Sequence, residues 1–213
     1  FSEALKMSQE LGADLESGEA LRNIATIYME WGQFDKGISN LKETLEIFRK
    51  YGNKPSIAET YFMLGDAYSA LGKTDEALQV LEQAQSIFRE IDNKEGLASV
   101  LMKKGDLQFN SGQLTEAQEN YLKALKIFND SHSKIGEAKV MNAIGMVYQF
   151  RGKLDEAMKN YQIAKNIFQQ HGLKLQVATT LSYMGNAYFA WGQLEKAVNA
   201  YQEAIKIFKK SGS

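Results

Sequence analysis

Apolar residues recur along the chain in a pattern that repeats every 40 residues. Within each period the apolar spacing is typical of two amphipathic helices, named here helix A and helix B, with a glycine between them. In one period helix A is predicted over Ser56 to Leu71 and helix B over Asp75 to Ile91. The other periods follow from recurrent glycines at Gly32, Gly72, Gly112, Gly152 and Gly192. The pattern predicts a stack of antiparallel helix pairs.

The residues around each recurrent glycine predict where one helix ends and the next begins. Gly72 is expected to end helix A in the left-handed conformation, which glycine adopts without strain. An acid follows in the first turn of every helix B, where it opposes the positive end of the helix dipole. These acids are Asp35, Asp75, Glu76, Glu116, Asp155, Glu156 and Glu195.

Small residues recur at the centre of helix A, and they predict a close approach of helix B. A glycine inside a helix costs about 1 kcal/mol relative to alanine, so its repeated use needs a reason. We expect the facing helix B to leave no room for a side chain. The small positions are Ala25, Gly65, Gly105, Gly145 and Gly185, and the facing large ones are Leu41, Leu81, Tyr121, Tyr161 and Tyr201.

The order large-x-x-large-Gly-x-x-Tyr, then Ala, a large residue and Ala, resembles the tetratricopeptide repeat. Arg89 stands where that pattern ends in proline, so helix B is expected to continue and lengthen the repeat. Such long repeats are similar to those of Pins-type adaptors and kinesin light chains. The resemblance implies an all-α fold, a right-handed superhelix or α-solenoid of antiparallel helix pairs. The matching residues are Tyr61, Leu64, Gly65, Tyr68, Ala77, Leu81 and Ala84.

The period assigns the whole chain to a single solenoid. Residues 1–12 are expected to form a half repeat that contains only a second helix. At the other end, Ile207 and Phe208 would have no following helix A to cover them. We expect either truncation of a longer protein, which is favoured, or self-association through the uncapped ends. The five full repeats are predicted at 13–52, 53–92, 93–132, 133–172 and 173–213.

Composition and charge narrow the class of protein. Of the 213 residues 44% are hydrophobic, and the net charge is -1, which leaves no bias toward nucleic acid. No apolar run is long enough to span a membrane, so no membrane association is expected. The absence of cysteine fits a reducing compartment and favours a cytoplasmic location.

No group of residues predicts catalysis, and we expect neither an enzyme nor a bound metal or cofactor. His132 and His171 fall in B-to-A loops without neighbours at metal-ligand spacing. Asp155 and Glu156 form a carboxylate pair, but the pair recurs as helix-start acids in other repeats. The glycines belong to caps and close contacts, and no phosphate-binding loop motif occurs.

The resemblance places a peptide-binding groove on the concave face of successive A helices. In the family this groove is lined by the residues three before, one after and four after the central glycine of helix A. The apolar members of this set exceed what the A–B core needs, which favours binding. The candidate residues are Arg22, Phe62, Asp66, Met102, Asp106, Phe109, Asn142, Met146, Gln149, Ser182, Asn186 and Phe189.

Individual groove residues suggest the chemistry of a ligand. Asn142 and Asn186 each carry an amide that could pair with a peptide backbone. Asp66 and Asp106 would prefer a basic ligand residue. Lys104 occupies a core level and is expected to reach water or a carboxylate such as Asp106.

Two hypotheses follow from this set of residues. The leading one is a protein–protein interaction scaffold that holds a peptide segment of a partner in the concave groove. The alternative is a sensory or regulatory segment of a larger signalling enzyme or transcription regulator. RNA binding would need basic groove residues in register, and Asp66 and Asp106 argue against it.

Overall fold

The computed structural model describes residues 2–211 and the side chains of residues 12–211. Within this part every regular element is an α-helix, which confirms the predicted all-α class. The A helices are α1 (Ser2–Glu30), α3 (Lys54–Ala70), α5 (Lys94–Asn110), α7 (Lys134–Phe150) and α9 (Lys174–Ala190). The B helices are α2 (Phe34–Lys50), α4 (Thr74–Glu90), α6 (Leu114–Asp130), α8 (Leu154–Gln170) and α10 (Leu194–Lys210).

The helices belong to two compact units, Phe1–Leu107 and Gln108–Ser213. Each unit has an apolar core in which the small and large residues of the period interlock. The first core contains Ala25, Leu41, Phe48, Leu64, Ala77, Leu81 and Phe88. The second contains Ala157, Tyr161, Ala164, Phe168, Val177, Leu181 and Met184.

The recurrent glycines end the A helices as predicted. Gly72 has a φ of 70°, and its N–H donates to the Ser69 carbonyl over 3.0 Å. The next N–H, that of Lys73, donates to the Tyr68 carbonyl over 2.9 Å, which completes a Schellman motif. The other four recurrent glycines have φ between 72° and 77°, so every A-to-B turn uses the same left-handed cap.

The glycines inside the A helices lie against helix B, as predicted. A Cβ atom added to Gly145 would lie 2.5 Å from Cε1 of Tyr161. At Gly65 it would lie 2.6 Å from Cδ2 of Leu81. Both facing side chains are fully buried and cannot withdraw, so alanine does not fit where glycine stands.

The boundary predicted after residue 12 does not coincide with a helix end, because α1 runs from Ser2 to Glu30 without a break. The loop after α2 is followed by Asn53, and the loop after α4 by Asn93. Each of these side chains accepts a hydrogen bond from an N–H in the first turn of the next helix. Ala13 holds the equivalent position and has no acceptor, but Leu173 also lacks one and α9 still begins directly after it, so the missing cap alone does not account for the continuous helix. The division into repeats otherwise stays a prediction.

The apolar face left open on α10 differs from the one predicted. Ile207 and Phe208 are partly buried against the core of the second unit. The exposed apolar side chains of α10 are instead Leu194, Val198 and Ile205, at 58%, 50% and 50% exposure. Self-association through this end stays a prediction.

The B-to-A turns use the same left-handed cap, but two of them lack glycine. His132 has a φ of 56°, where Gly52 and Gly172 have 64° and 68°. A left-handed histidine costs about 1–2 kcal/mol, and glycine loses about 0.5–1 kcal/mol more backbone entropy on folding. His132→Gly is therefore expected to raise the stability by about 0.5–1 kcal/mol, measured by chemical denaturation.

His171→Gly is the matched control for this prediction. Its backbone has a φ of -93°, one residue before the left-handed position of its own turn. Glycine there gains no strain relief and should lower stability. Equal effects of the two substitutions would contradict the assignment of strain to His132.

Candidate functional site

In the first unit, two polar residues predicted to line the groove form ion pairs with residues of neighbouring A helices. The guanidinium of Arg22 contacts Glu19 on its own helix and Glu59 on α3, with Nη1 and Oε2 2.5 Å apart in the second contact. Asp66 on α3 pairs with Lys103 on α5 across 2.6 Å between Oδ1 and Nζ. Arg22 and Asp66, which were predicted to contact a ligand, therefore link successive A helices.

A pocket of about 410 Å3 opens on the A-helix surface of the first unit. It brings together two predicted site residues, Arg22 and Phe62, while Met102 and Asp106 do not line it. The remaining lining residues were not predicted, and they are Glu59, Met63, Phe88, Asn93, Glu95, Gly96 and Ser99.

Three of the missed residues follow a signal that the sequence does contain. Glu59 lies three residues before Phe62, so both project from the same face of α3 one turn apart. Ser99 has the same offset from Met102 on α5, and Glu95 lies one further turn toward the start of that helix. Extending the groove rule by one and two turns toward the helix start would have identified these residues.

Lys104 reaches a carboxylate, as expected, and that carboxylate is on α4. Its ammonium lies 3.2 Å from Oε1 of Gln85 and 3.6 Å from Oε1 of Glu82, both on α4. The side chain is only 16% exposed, and it takes the B-helix side of α5 because its register faces α4. Asp106, named as the expected carboxylate, lies on the same helix two residues away.

Asn142 is buried in the second unit. Its Nδ2 donates to Oγ1 of Thr180 over 2.8 Å, and that hydroxyl donates to the carbonyl of Gln176 over 2.9 Å. The residue is 9% exposed, and among the described residues its Oδ1 has no hydrogen-bond partner. A bound backbone could reach this amide only after the contact between α7 and α9 opens.

Gln149 and Asn186 accept hydrogen bonds from tyrosines of the paired B helices. The Tyr161 hydroxyl donates to Oε1 of Gln149 over 2.8 Å, and the Tyr201 hydroxyl donates to Oδ1 of Asn186 over 2.5 Å. Burial raises the pKa of the Tyr161 phenol, with a smaller contribution from Tyr183, so the phenol stays protonated as a donor. Asn186 remains exposed at the surface, whereas Ser182 is partly buried and donates to the Ala178 carbonyl over 3.1 Å.

Apolar side chains at the C-terminal ends of the A helices are exposed in the second unit. Phe189 is 64% exposed, and Phe150, which was not predicted, is 74% exposed. The Phe109 ring meets Phe150 edge to face, with centroids 5.0 Å apart. Met146 packs against the core, so it contributes to folding as well as to this surface.

The described residues contain no cluster of three or more histidine or acidic side chains arranged to hold a metal ion. No helix in the same part of the chain combines the length and the apolar character needed to cross a membrane.

Comparison with known proteins identifies a family and several structural relatives. A model of the tetratricopeptide repeat matches residues 16–90, 96–170 and 136–210. No curated protein sequence matches the chain significantly. Among solved structures, BtubC (BKLC) of P. vanneervenii is 20% identical with a TM-score of 0.76, covering 97% of this chain and 92% of its own.

Two larger structures also contain a similar fold. The Rap conjugation gene regulator of plasmid pLS20, solved with the Phr* peptide, is 17% identical with a TM-score of 0.75. That match covers 96% of this chain and 55% of the regulator. A signal transduction ATPase with a tetratricopeptide repeat sensor from Pyrococcus horikoshii is 24% identical with a TM-score of 0.77, covering 91% of this chain and 30% of its own.

Proposed function

Because the chain belongs to the tetratricopeptide repeat family, we propose that it is a protein-interaction scaffold that holds a peptide segment of a partner on its A-helix surface. The observation that carries the proposal is the exposed aromatic surface of the second unit. Phe150 and Phe189 are more than half exposed, and neither ring is part of the core of that unit. Large aromatic side chains supply much of the energy of protein interfaces, which supports a binding role for this surface.

The polar residues support the same proposal in a secondary role. Asn186 is exposed beside Phe189, and its amide can donate to a peptide carbonyl while its Oδ1 accepts from Tyr201. Arg22, Asp66 and Asn142 are already paired within the protein, so a ligand would compete for them. The apolar groups therefore supply the affinity, and Asn186 orients the bound backbone.

The proposal is tested by replacing Phe109, Met146 and Phe189 together with glutamine. Partners captured from a cell lysate by the unchanged protein should be lost with the triple variant, since the apolar contacts are removed. Mass spectrometry of the retained proteins identifies the partners, and circular dichroism verifies that the variant stays folded. Identical sets of retained proteins would contradict a binding role for this surface.

A matched control uses three exposed apolar side chains of B helices. Leu122, Ile163 and Ile205 are 48%, 43% and 50% exposed, and they lie outside the A-helix surface. Their replacement by glutamine removes comparable apolar area and should leave capture unchanged. Loss of the same partners in both variants would indicate non-specific adhesion.

The second candidate function is a sensory or regulatory segment of a larger protein. The coverage of the two larger relatives favours it, because the matched region makes up only 55% of the Rap regulator and 30% of the ATPase. In that case the groove would take a signalling peptide and pass the change to an attached domain. The sequence of the complete gene product distinguishes the two functions at once.

A further inference from the structure

The pocket of the first unit combines an apolar wall with carboxylates. Phe62, Met63 and Phe88 supply the wall, and Glu59 and Glu95 supply the acids. Phe88 is 4% exposed, so its ring is fixed in the core and cannot move aside. A ligand group in this pocket would meet both apolar surface and negative charge.

Arg22 lines the pocket but does not make it basic. Its guanidinium contacts the carboxylates of Glu19 and Glu59, and its side chain is only 20% exposed. Glu95 adds a further carboxylate to the lining. Within the lining one cation therefore faces two acids, Glu59 and Glu95, and an anionic ligand would have to displace Glu59 before it could reach Arg22.

Glu95 is the carboxylate that is open to a ligand. It lies exposed in the first turn of α5, and no described residue forms an ion pair with it. The adjacent N–H of Gly96 already donates to Oδ1 of Asn93 over 2.8 Å, so this end of the helix does not offer that N–H to an anion. The local chemistry thus favours a cation.

We propose that this pocket takes the side chain of an arginine or a lysine from a peptide segment bound on the A-helix surface of the first unit. The aliphatic stem of such a side chain packs on Phe62 and Phe88, and its cationic head binds the carboxylate of Glu95. This inference rests on the proposed function, and it adds the identity of one residue of the ligand.

The test uses pools of acetylated and amidated hexapeptides with one fixed central residue and randomised neighbours. The fixed residue is arginine, lysine, norleucine or glutamate, and norleucine matches the lysine stem without its charge. The unchanged protein should retain the arginine and lysine pools about tenfold better than the norleucine pool. Glu95→Gln should remove this preference.

Glu43→Gln is the control, because Glu43 is an exposed acid of α2 that does not line the pocket. It should keep the preference for basic pools. If peptides bind without that preference, or if Glu95→Gln preserves it, the inference is overturned while the proposed function stands. If no pool is retained by the unchanged protein, the inference is overturned, and the proposed function is decided separately by the capture experiment with the Phe109, Met146 and Phe189 variant.

Discussion

Replacing Phe168 with alanine is expected to lower the free energy of unfolding of the second unit by about 3–5 kcal/mol. The side chain is 1% exposed and lies in the last turn of α8, within a core shared with Val177 and Leu181 of α9. Alanine leaves a cavity that rigid neighbouring helices cannot close. In a chain of this length the melting temperature should fall by roughly 10 °C, measured by circular dichroism.

Phe150→Ala is the matched control, because it removes the same atoms from a ring that is 74% exposed. It should cost about 0.5–1.5 kcal/mol at most, the value of the lost edge-to-face contact with Phe109. Since repeat proteins interact mainly between neighbouring elements, Phe168→Ala should also speed amide hydrogen exchange in α8 and α9 before other helices. Equal destabilisation by the two substitutions would contradict the burial of Phe168 in the core.

Replacing Ala157 with leucine should also destabilise the second unit, in this case by overpacking. Ala157 is fully buried in a core that contains Tyr161 and Ala164 one and two turns further along α8. Three added carbons must displace packed neighbours, at a cost of about 1–3 kcal/mol. The melting temperature is expected to fall by several degrees, since about 2–4 °C is lost per kcal/mol in a chain of this size.

The control makes the same change at Ala190, which is exposed in the last turn of α9. Ala190→Leu should leave the melting temperature within about one degree, because surface substitutions usually change stability by less than 0.5 kcal/mol. An unchanged melting temperature of Ala157→Leu would mean that the contact between α7 and α8 is misplaced.

The period of the sequence predicted the fold closely because its signals are local and repeated. Each helix end is encoded by a few adjacent residues, as the left-handed Gly72 shows. The closeness of the paired helices is encoded by the size of single residues, as at Gly145 against Tyr161. Repetition of both signals makes chance agreement negligible, and the family match over residues 16–90 and 96–210 confirms the result.

The glycine at residue 12 shows that the recurrent glycine does not always end a helix. Residue 12 is a glycine at the position of a predicted turn, yet the helix continues through it. Glycine permits a left-handed turn but also permits a helix, so a glycine by itself does not specify a turn.

The tertiary structure decided which of the predicted groove residues are already paired with other residues of the protein. Arg22 and Glu59 are 37 residues apart, and Asn142 and Thr180 are 38 apart. Such pairs depend on how one A helix is rotated and shifted against the next, which the spacing within a single helix does not specify. The period could therefore place these side chains on the A-helix surface without showing which of them were already paired.

The sequence by itself determined the helices, their caps, the pairing of A with B and the family. These features depend on backbone conformation and side-chain volume at adjacent or regularly spaced positions. Only the tertiary structure decided that Asn142 is buried, that Phe150 is exposed, and that Glu59 and Glu95 share a pocket with Phe62. Those outcomes depend on distances between atoms of different helices, which arise only when the helices pack.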